Sequence, residues 1–246
     1  MAAIADLIDE LVAANHILAF EGVVDGFGHI SVRHPDRPDR FLLSRARAPR
    51  MVEPSDIMEF TLDGAPVDAR GRSPYSERFI HAALYQARPE AKSVVHSHSH
   101  ATISFGVGGE KLRPIMHNCA LIGKEVPIWD PRDKFGDTDL MVTTIEMGHD
   151  LARTVGSGPS ALMRGHGTVA AGGSIRRACY VSIKLQDNAN LQREASRYKE
   201  IKFLSPGEVE KMMATLDAYG DKPLMGIDRA WEYWCDRAGV RYRPGY

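Results

Sequence analysis

Cysteine is scarce: Cys119, Cys179 and Cys235 are the only three in 246 residues, and no two form a Cys-x-x-Cys pair. An odd, scattered set excludes a disulfide framework and a thiolate zinc knuckle, and predicts a reduced, cytoplasmic chain. A charge excess is missing too, since 31 Lys and Arg face 32 Asp and Glu for a formal net charge of -1. That balance provides no global field for a polyanion or an acidic membrane face, so neither nucleic acid nor a membrane is expected as a partner. No apolar run approaches the length of a membrane span. Asp6, Asp9 and Glu10 interrupt the first apolar stretch, where a signal peptide needs a basic start and an unbroken core. Linkers rich in Pro or Ser, blocks of one charge and internal repeats are also lacking, which predicts a single domain over 1–246.

With 43% hydrophobic residues the chain can bury a full core. Ile4, Leu7, Ile8, Leu11 and Leu18 recur at helical spacing and predict an amphipathic helix over the first twenty residues, ended by Gly22, Gly26 and Gly28. Residues 29–33, 40–44 and 57–60 have strand character, and with the Asp63-Gly64 turn they predict an antiparallel meander. A helix is predicted over 76–87, a strand over 92–96, a short strand over 126–129 and a helix over 140–155. Strands over 160–164 and 168–171 precede a long helix capped by Ser174, and Ser205 with Glu208 forms a capping box for one more. Strands interleaved with helices in this order predict an α/β domain with a mixed sheet.

His96, His98 and His100 sit at alternate positions at the end of an apolar strand, where alternation puts their side chains on one face. Two imidazoles one residue apart on a strand can bite a single ion at bond lengths of about 2.0–2.2 Å. Arg164-Gly165-His166-Gly167 offers a further histidine in a turn whose glycines permit close approach of backbone and ion. Glu77 stands just before an amphipathic helix, where an acid also complements the helix dipole.

Tyr75-Ser76-Glu77, His96-Ser97-His98 and Arg164-Gly165-His166-Gly167 together resemble the signature of the class II aldolase/adducin family. The resemblance runs from Gly28-His29-Ile30-Ser31 to the helix after Ser174. It implies a three-layer α/β/α sandwich around a central mixed, largely antiparallel sheet, assembled as a homotetramer with sites at subunit interfaces. It also implies one divalent ion per subunit held by His96, His98 and His166. Glu77 then either completes the coordination or leaves the ion to act as acid/base, and His100 either backs a ligand or becomes pocket wall. Arg164, Glu77 and His117 are the implied catalytic residues, His117 standing where the family's aldolases send a proton-donating tyrosine in from the neighbouring subunit.

Where sugar-phosphate aldolases of the family cradle a phosphate, this chain reads Gly28-His29, Ser44-Arg45 and Tyr75-Ser76. A planar guanidinium suits bidentate recognition of a carboxylate better than it suits a phosphate nest. Arg45, with His29, Ser44, Tyr75 and Ser76, is therefore expected to bind substrate. These features, with Phe41-Leu42-Leu43-Ser44-Arg45 and Ile57-Met58-Glu59-Phe60, resemble the decarboxylase branch of the family, which acts on ortho-hydroxylated aromatic dicarboxylates. The implied function is metal-dependent decarboxylation of a hydroxylated aromatic or heteroaromatic carboxylate, with the metal stabilising enolate-like charge. The alternative is an aldolase cleaving a 2-oxo-hydroxy acid or a sugar phosphate. Three His and one Glu fit manganese, zinc, iron or cobalt, and the branch points to manganese.

Overall fold

Apolar side chains alternate along the strands and sort the core into two layers, one on each face of a single sheet. A computed structural model of the chain describes residues 2–220 and 222–243. The chain opens with α1 (Ala2–Phe20), followed by the meander β1 (His29–Arg33), β2 (Arg40–Ser44) and β3 (Ile57–Thr61). Next come α2 (Arg78–Ala87), β4 (Ser93–Ser97) and α3 (His100–Gly108), then β5 (Ile128–Trp129), α4 (Arg132–Phe135) and α5 (Ile145–Val155). β6 (Ser160–Met163), β7 (Gly167–Gly172), α6 (Ile175–Ala195), α7 (Pro206–Tyr219) and α8 (Gly226–Ala238) complete it. The seven strands order as β3-β2-β1-β4-β7-β6-β5. Every pair is antiparallel except β5 with β6, so the sheet is mixed and largely antiparallel.

Ile30, Val32, Leu42, Val95, Leu162 and Ala170 face a layer containing Leu11 and Ile17 of α1, Phe105 of α3, Val181 and Leu185 of α6, and Trp231 of α8. The alternate positions Phe41, Leu43, Phe60, Val94, Met163 and Val169 face Ile80 and Leu84 of α2 and Leu151 and Val155 of α5. This period of two is the reason both faces are covered. Each fully buried Leu, Ile or Phe contributes about 1.5–3 kcal/mol to holding the layers together.

Most of the elements fall where the sequence puts them, and the differences have local causes. α5 starts at Ile145, not at residue 140, because the Thr144 side chain accepts the Met147 N–H and caps it, while Leu140 at φ +68 lies outside any helix. α2 starts at Arg78 with Glu77 as its N-cap residue. β5 is shorter than 126–129 because Pro127 has no N–H to give to a ladder. β4 ends at Ser97, so strand alternation stops at His98 and His100 opens α3 instead. α3 and α8 were not anticipated; α8 is nonetheless legible in Trp231, Trp234, Cys235 and Ala238, buried at helical spacing. Ser174 and the Ser205/Glu208 box cap α6 and α7 as expected. Among the described residues no helix is long and apolar enough to cross a membrane.

A candidate metal centre

Four side chains from three parts of the fold meet at one end of the sheet. His96 lies on β4, His98 just beyond it, His166 in the turn from β6 to β7, and Glu77 at the start of α2. Each offers one ligand atom, and these atoms all lie within 4.8 Å of one another. The turn can come this near because residue 167 is glycine: a Cβ there would stand 2.0 Å from the Ser97 carbonyl oxygen.

The Nε2 atoms of His96 and His98 are 3.0 Å apart, and those of His98 and His166 are 3.1 Å apart. Glu77 Oε2 is 3.5 Å from both His96 Nε2 and His166 Nε2. His96 Nδ1 donates to the Thr168 carbonyl at 3.0 Å, and His166 Nδ1 donates to the Leu140 carbonyl at 2.9 Å. A carbonyl only accepts, so both rings carry a proton on Nδ1 and, when neutral, turn a bare Nε2 lone pair inward. Lone pairs at this separation repel unless a cation lies between them. Bonds of about 2.0–2.2 Å place neighbouring donors of an octahedral ion about 3 Å apart, so the residues fit a divalent ion.

The carboxylate draws positive charge to this cluster, which either a proton on Nε2 or a cation among the four atoms supplies. Burial opposes ionisation of Glu77, yet His166 and His96 beside it outweigh that and hold the carboxyl well below the usual carboxylate range. Its other oxygen accepts the Val142 N–H at 3.0 Å. Burial also opposes charge on His166, but Glu77 beside it raises the pKa above the ordinary histidine value. His98 is pushed down to about 4 by burial and by the neighbouring His96 and His166. His29 is held neutral, chiefly by burial.

Glu77, His98 and His166 border a cavity of about 710 Å³ whose wall also includes Phe27, His29, Arg47, Tyr75, Ser76 and Met141, while His96 is fully buried behind them. Phe27 is 70% exposed, with its ring centroid 6.3 Å from that of His98. His29 packs on Tyr75 and His96 at centroid distances of 4.4 and 5.1 Å. Ser44 is fully buried behind Tyr75, at 3.5 Å from its hydroxyl.

Other residues singled out in the sequence lie elsewhere. Arg45 is not among the residues bordering the cavity; its Nε binds Asp56 Oδ1 at 2.6 Å. Arg47 borders the cavity instead, its Nη1 held 2.5 Å from Asp56 Oδ2. Arg45 and Arg47 hold the two oxygens of one carboxylate, and the Arg-Ala-Arg spacing, which puts i and i+2 on the same side, was the signal for the second. Arg164 pairs with Asp130 at 2.5 Å. His100 is exposed at the start of α3, and His117 is exposed on the 3-10 turn His117–Ile122, against a different cavity. Sequence reasoning passed over Phe27, Arg47, Met141 and His81. His81 carries a readable sign, since Glu77, His81 and Tyr85 recur every four residues and so share one face of α2.

Residues 9–193 match the family described as Class II Aldolase and Adducin N-terminal domain. The chain is 37% identical over 225 residues to Decarboxylase tropJ of Talaromyces stipitatus, covering 86% of this chain and 79% of that one. It is 30% identical over 197 residues to a 3,4-dihydroxyphthalate decarboxylase of Terrabacter sp., covering 74% and 78% respectively. A solved aldolase II superfamily protein from Pseudomonas syringae shares the fold, with a TM-score of 0.78 at 22% identity over 95% of this chain and 92% of that one.

Proposed function

The chain belongs to the class II aldolase and adducin N-terminal domain family, and from that premise we propose that it is a metal-dependent carboxy-lyase acting on a hydroxylated aromatic or heteroaromatic carboxylate. One observation carries the reading: three Nε2 atoms and a carboxylate gather within 4.8 Å of one another beside a cavity that also presents a guanidinium and an exposed aromatic ring. Similarity to two proteins named as decarboxylases supports the reaction type.

His96, His98, His166 and Glu77 would hold the divalent ion, manganese in this proposal. When bound, it supplies Lewis-acid stabilisation of the negative charge that develops as CO₂ leaves. Arg47 pairs with a carboxylate of the substrate through its planar fork, pre-oriented by Asp56. Phe27 and Met141 enclose the ring and exclude water, while Tyr75, Ser76 and His29 orient its polar substituents. The carbanion left by CO₂ needs a proton, and His117 of a neighbouring copy in a cytoplasmic homotetramer is the proposed donor. Loss of the ion in His96→Ala, His98→Ala and His166→Ala, measured by elemental analysis, is the expected result for the ligand set.

The decisive experiment incubates metal-loaded protein with a panel of aromatic hydroxy-dicarboxylates and sugar phosphates while CO₂ and aldehyde are followed. CO₂ from the aromatic acids alone supports the proposal. Aldehyde from a sugar phosphate or a 2-oxo-hydroxy acid, without CO₂, replaces it with the aldolase reading.

A further inference from the structure

Behind the cavity wall a file of polar side chains runs into the layer between the sheet and α2. His29 Nδ1 lies 2.7 Å from His81 Nε2, His81 Nδ1 lies 2.6 Å from Ser31 Oγ, and Ser31 Oγ lies 2.7 Å from the Tyr85 hydroxyl. His81 and Ser31 are fully buried and Tyr85 is 1% exposed, so no bulk water can satisfy these groups.

Counting protons fixes the direction of the file. Ser31 and Tyr85 own one hydroxyl proton each, and among the described residues the Tyr85 oxygen has no acceptor near it except Ser31 Oγ. The backbone N–H of Val94, which faces the phenol oxygen, is itself a donor. If Ser31 donated to Tyr85, the phenol proton would be buried with no partner, at the full cost of a desolvated donor. Tyr85 therefore donates to Ser31, and Ser31 donates to His81 Nδ1. His81 is buried, has no carboxylate partner and is neutral, so its one N–H is on Nε2 and donates to His29 Nδ1. His29 is left with its own proton on Nε2, an atom with no partner in the protein among the described residues.

We propose that Tyr85, Ser31 and His81 form a one-way hydrogen-bond relay that locks His29 as an Nε2–H donor toward the cavity, where it binds an anionic oxygen of the substrate. This rests on the reading of the cavity as a carboxylate site. His81, Ser31 and Tyr85 are positioning residues, since none of them borders the cavity. A locked donor discriminates: it accepts a carboxylate or phenolate oxygen and rejects an analogue carrying an amino group there, which would set one N–H against another.

The test uses full-length protein labelled with ¹⁵N-histidine and loaded with diamagnetic zinc, the His29 resonances being assigned by their loss in His29→Asn. The expected nitrogen shifts show Nδ1 unprotonated and Nε2 protonated, and a protonated Nδ1 in the wild-type protein would overturn the relay. His81→Gln can accept from Ser31 and donate to His29, so it should keep both the tautomer and the affinity for salicylate. His81→Phe fills the space without a polar path and should give mixed His29 tautomers, with salicylate binding weaker by about ten- to a hundredfold. A folded His81→Phe protein that keeps the Nε2–H tautomer and full affinity would also overturn the proposal. Wild-type protein that has the Nε2–H tautomer but ignores salicylate would leave the relay standing and overturn the carboxylate reading.

Discussion

Asp56 is the residue on which the cavity's cation depends. Its carboxylate is 6% exposed and receives Arg45 on one oxygen and Arg47 on the other, so the Arg47 fork is aimed before any substrate arrives. Arg47→Lys keeps the charge but loses the planar fork. It should raise KM for a hydroxy-dicarboxylate about ten- to a hundredfold, and far less for an analogue lacking one carboxylate. Arg45→Lys, one step away from the cavity, should change both substrates little, and steady-state kinetics on the two variants separate the two arginines. Burial resists ionisation of Asp56, but hydrogen bonds from Arg45, the Glu53 backbone and Arg47 prevail and lower its pKa. A depressed carboxylate contributes stability above its unfolded pKa and loses it as pH falls through the folded value. Asp56→Asn should therefore cost about 1–3 kcal/mol near neutrality and flatten the acid limb of stability below about pH 4, as read by denaturant titration across pH.

At the scale of elements, the four candidate ligands converge because β4 and the β6–β7 turn nearly touch. Gly167→Ala would force a methyl against the Ser97 carbonyl, and the turn with His166 must shift. The expected result is at least a tenfold fall in metal affinity together with a lower Tm, measured by calorimetry with and without ion. The segment before α5 contributes through three consecutive residues. The Leu140 carbonyl accepts from His166, Met141 borders the cavity, and the Val142 N–H holds Glu77. The strained φ of +68 at Leu140 belongs to that arrangement. In the sequence these residues carry apolar periodicity alone, which is why they read as the first turn of a helix. The clustering of these four side chains was legible because imidazoles at alternate strand positions and a glycine-flanked histidine are residue types that can share one ion. Arg47 and Leu140 were not, since which arginine meets the cavity and which carbonyl meets His166 are tertiary facts. The same limit explains His100: its alternation with His98 continued on paper, while the chain had already turned into α3.

At the scale of the whole molecule, His117 stands apart from the metal cavity. It lies on an exposed turn beside a cavity of about 750 Å³ formed with α6, α7 and α8. If it serves a neighbour's site, inactive Glu77→Gln and inactive His117→Ala subunits mixed and reassembled should recover up to about a quarter of wild-type activity through hybrid sites. Mixed oligomers that form but stay inactive would remove His117 from catalysis in trans. The thiols have a further use at this scale. Cys179 and Cys235 are buried in the helical layer on the opposite face of the sheet from α2, and Cys119 lies in the buried part of the turn against α6. Burial pushes Cys119 and Cys235 up to about 12 and Cys179 well above its ordinary value, so none reacts while that layer stays closed. Thiol trapping is thus a clock for one half of the molecule, wound on the side away from the ion. Equal slowing of all three thiols by added metal would mean that the two layers come apart as one unit; unchanged rates would mean that the far side breathes on its own.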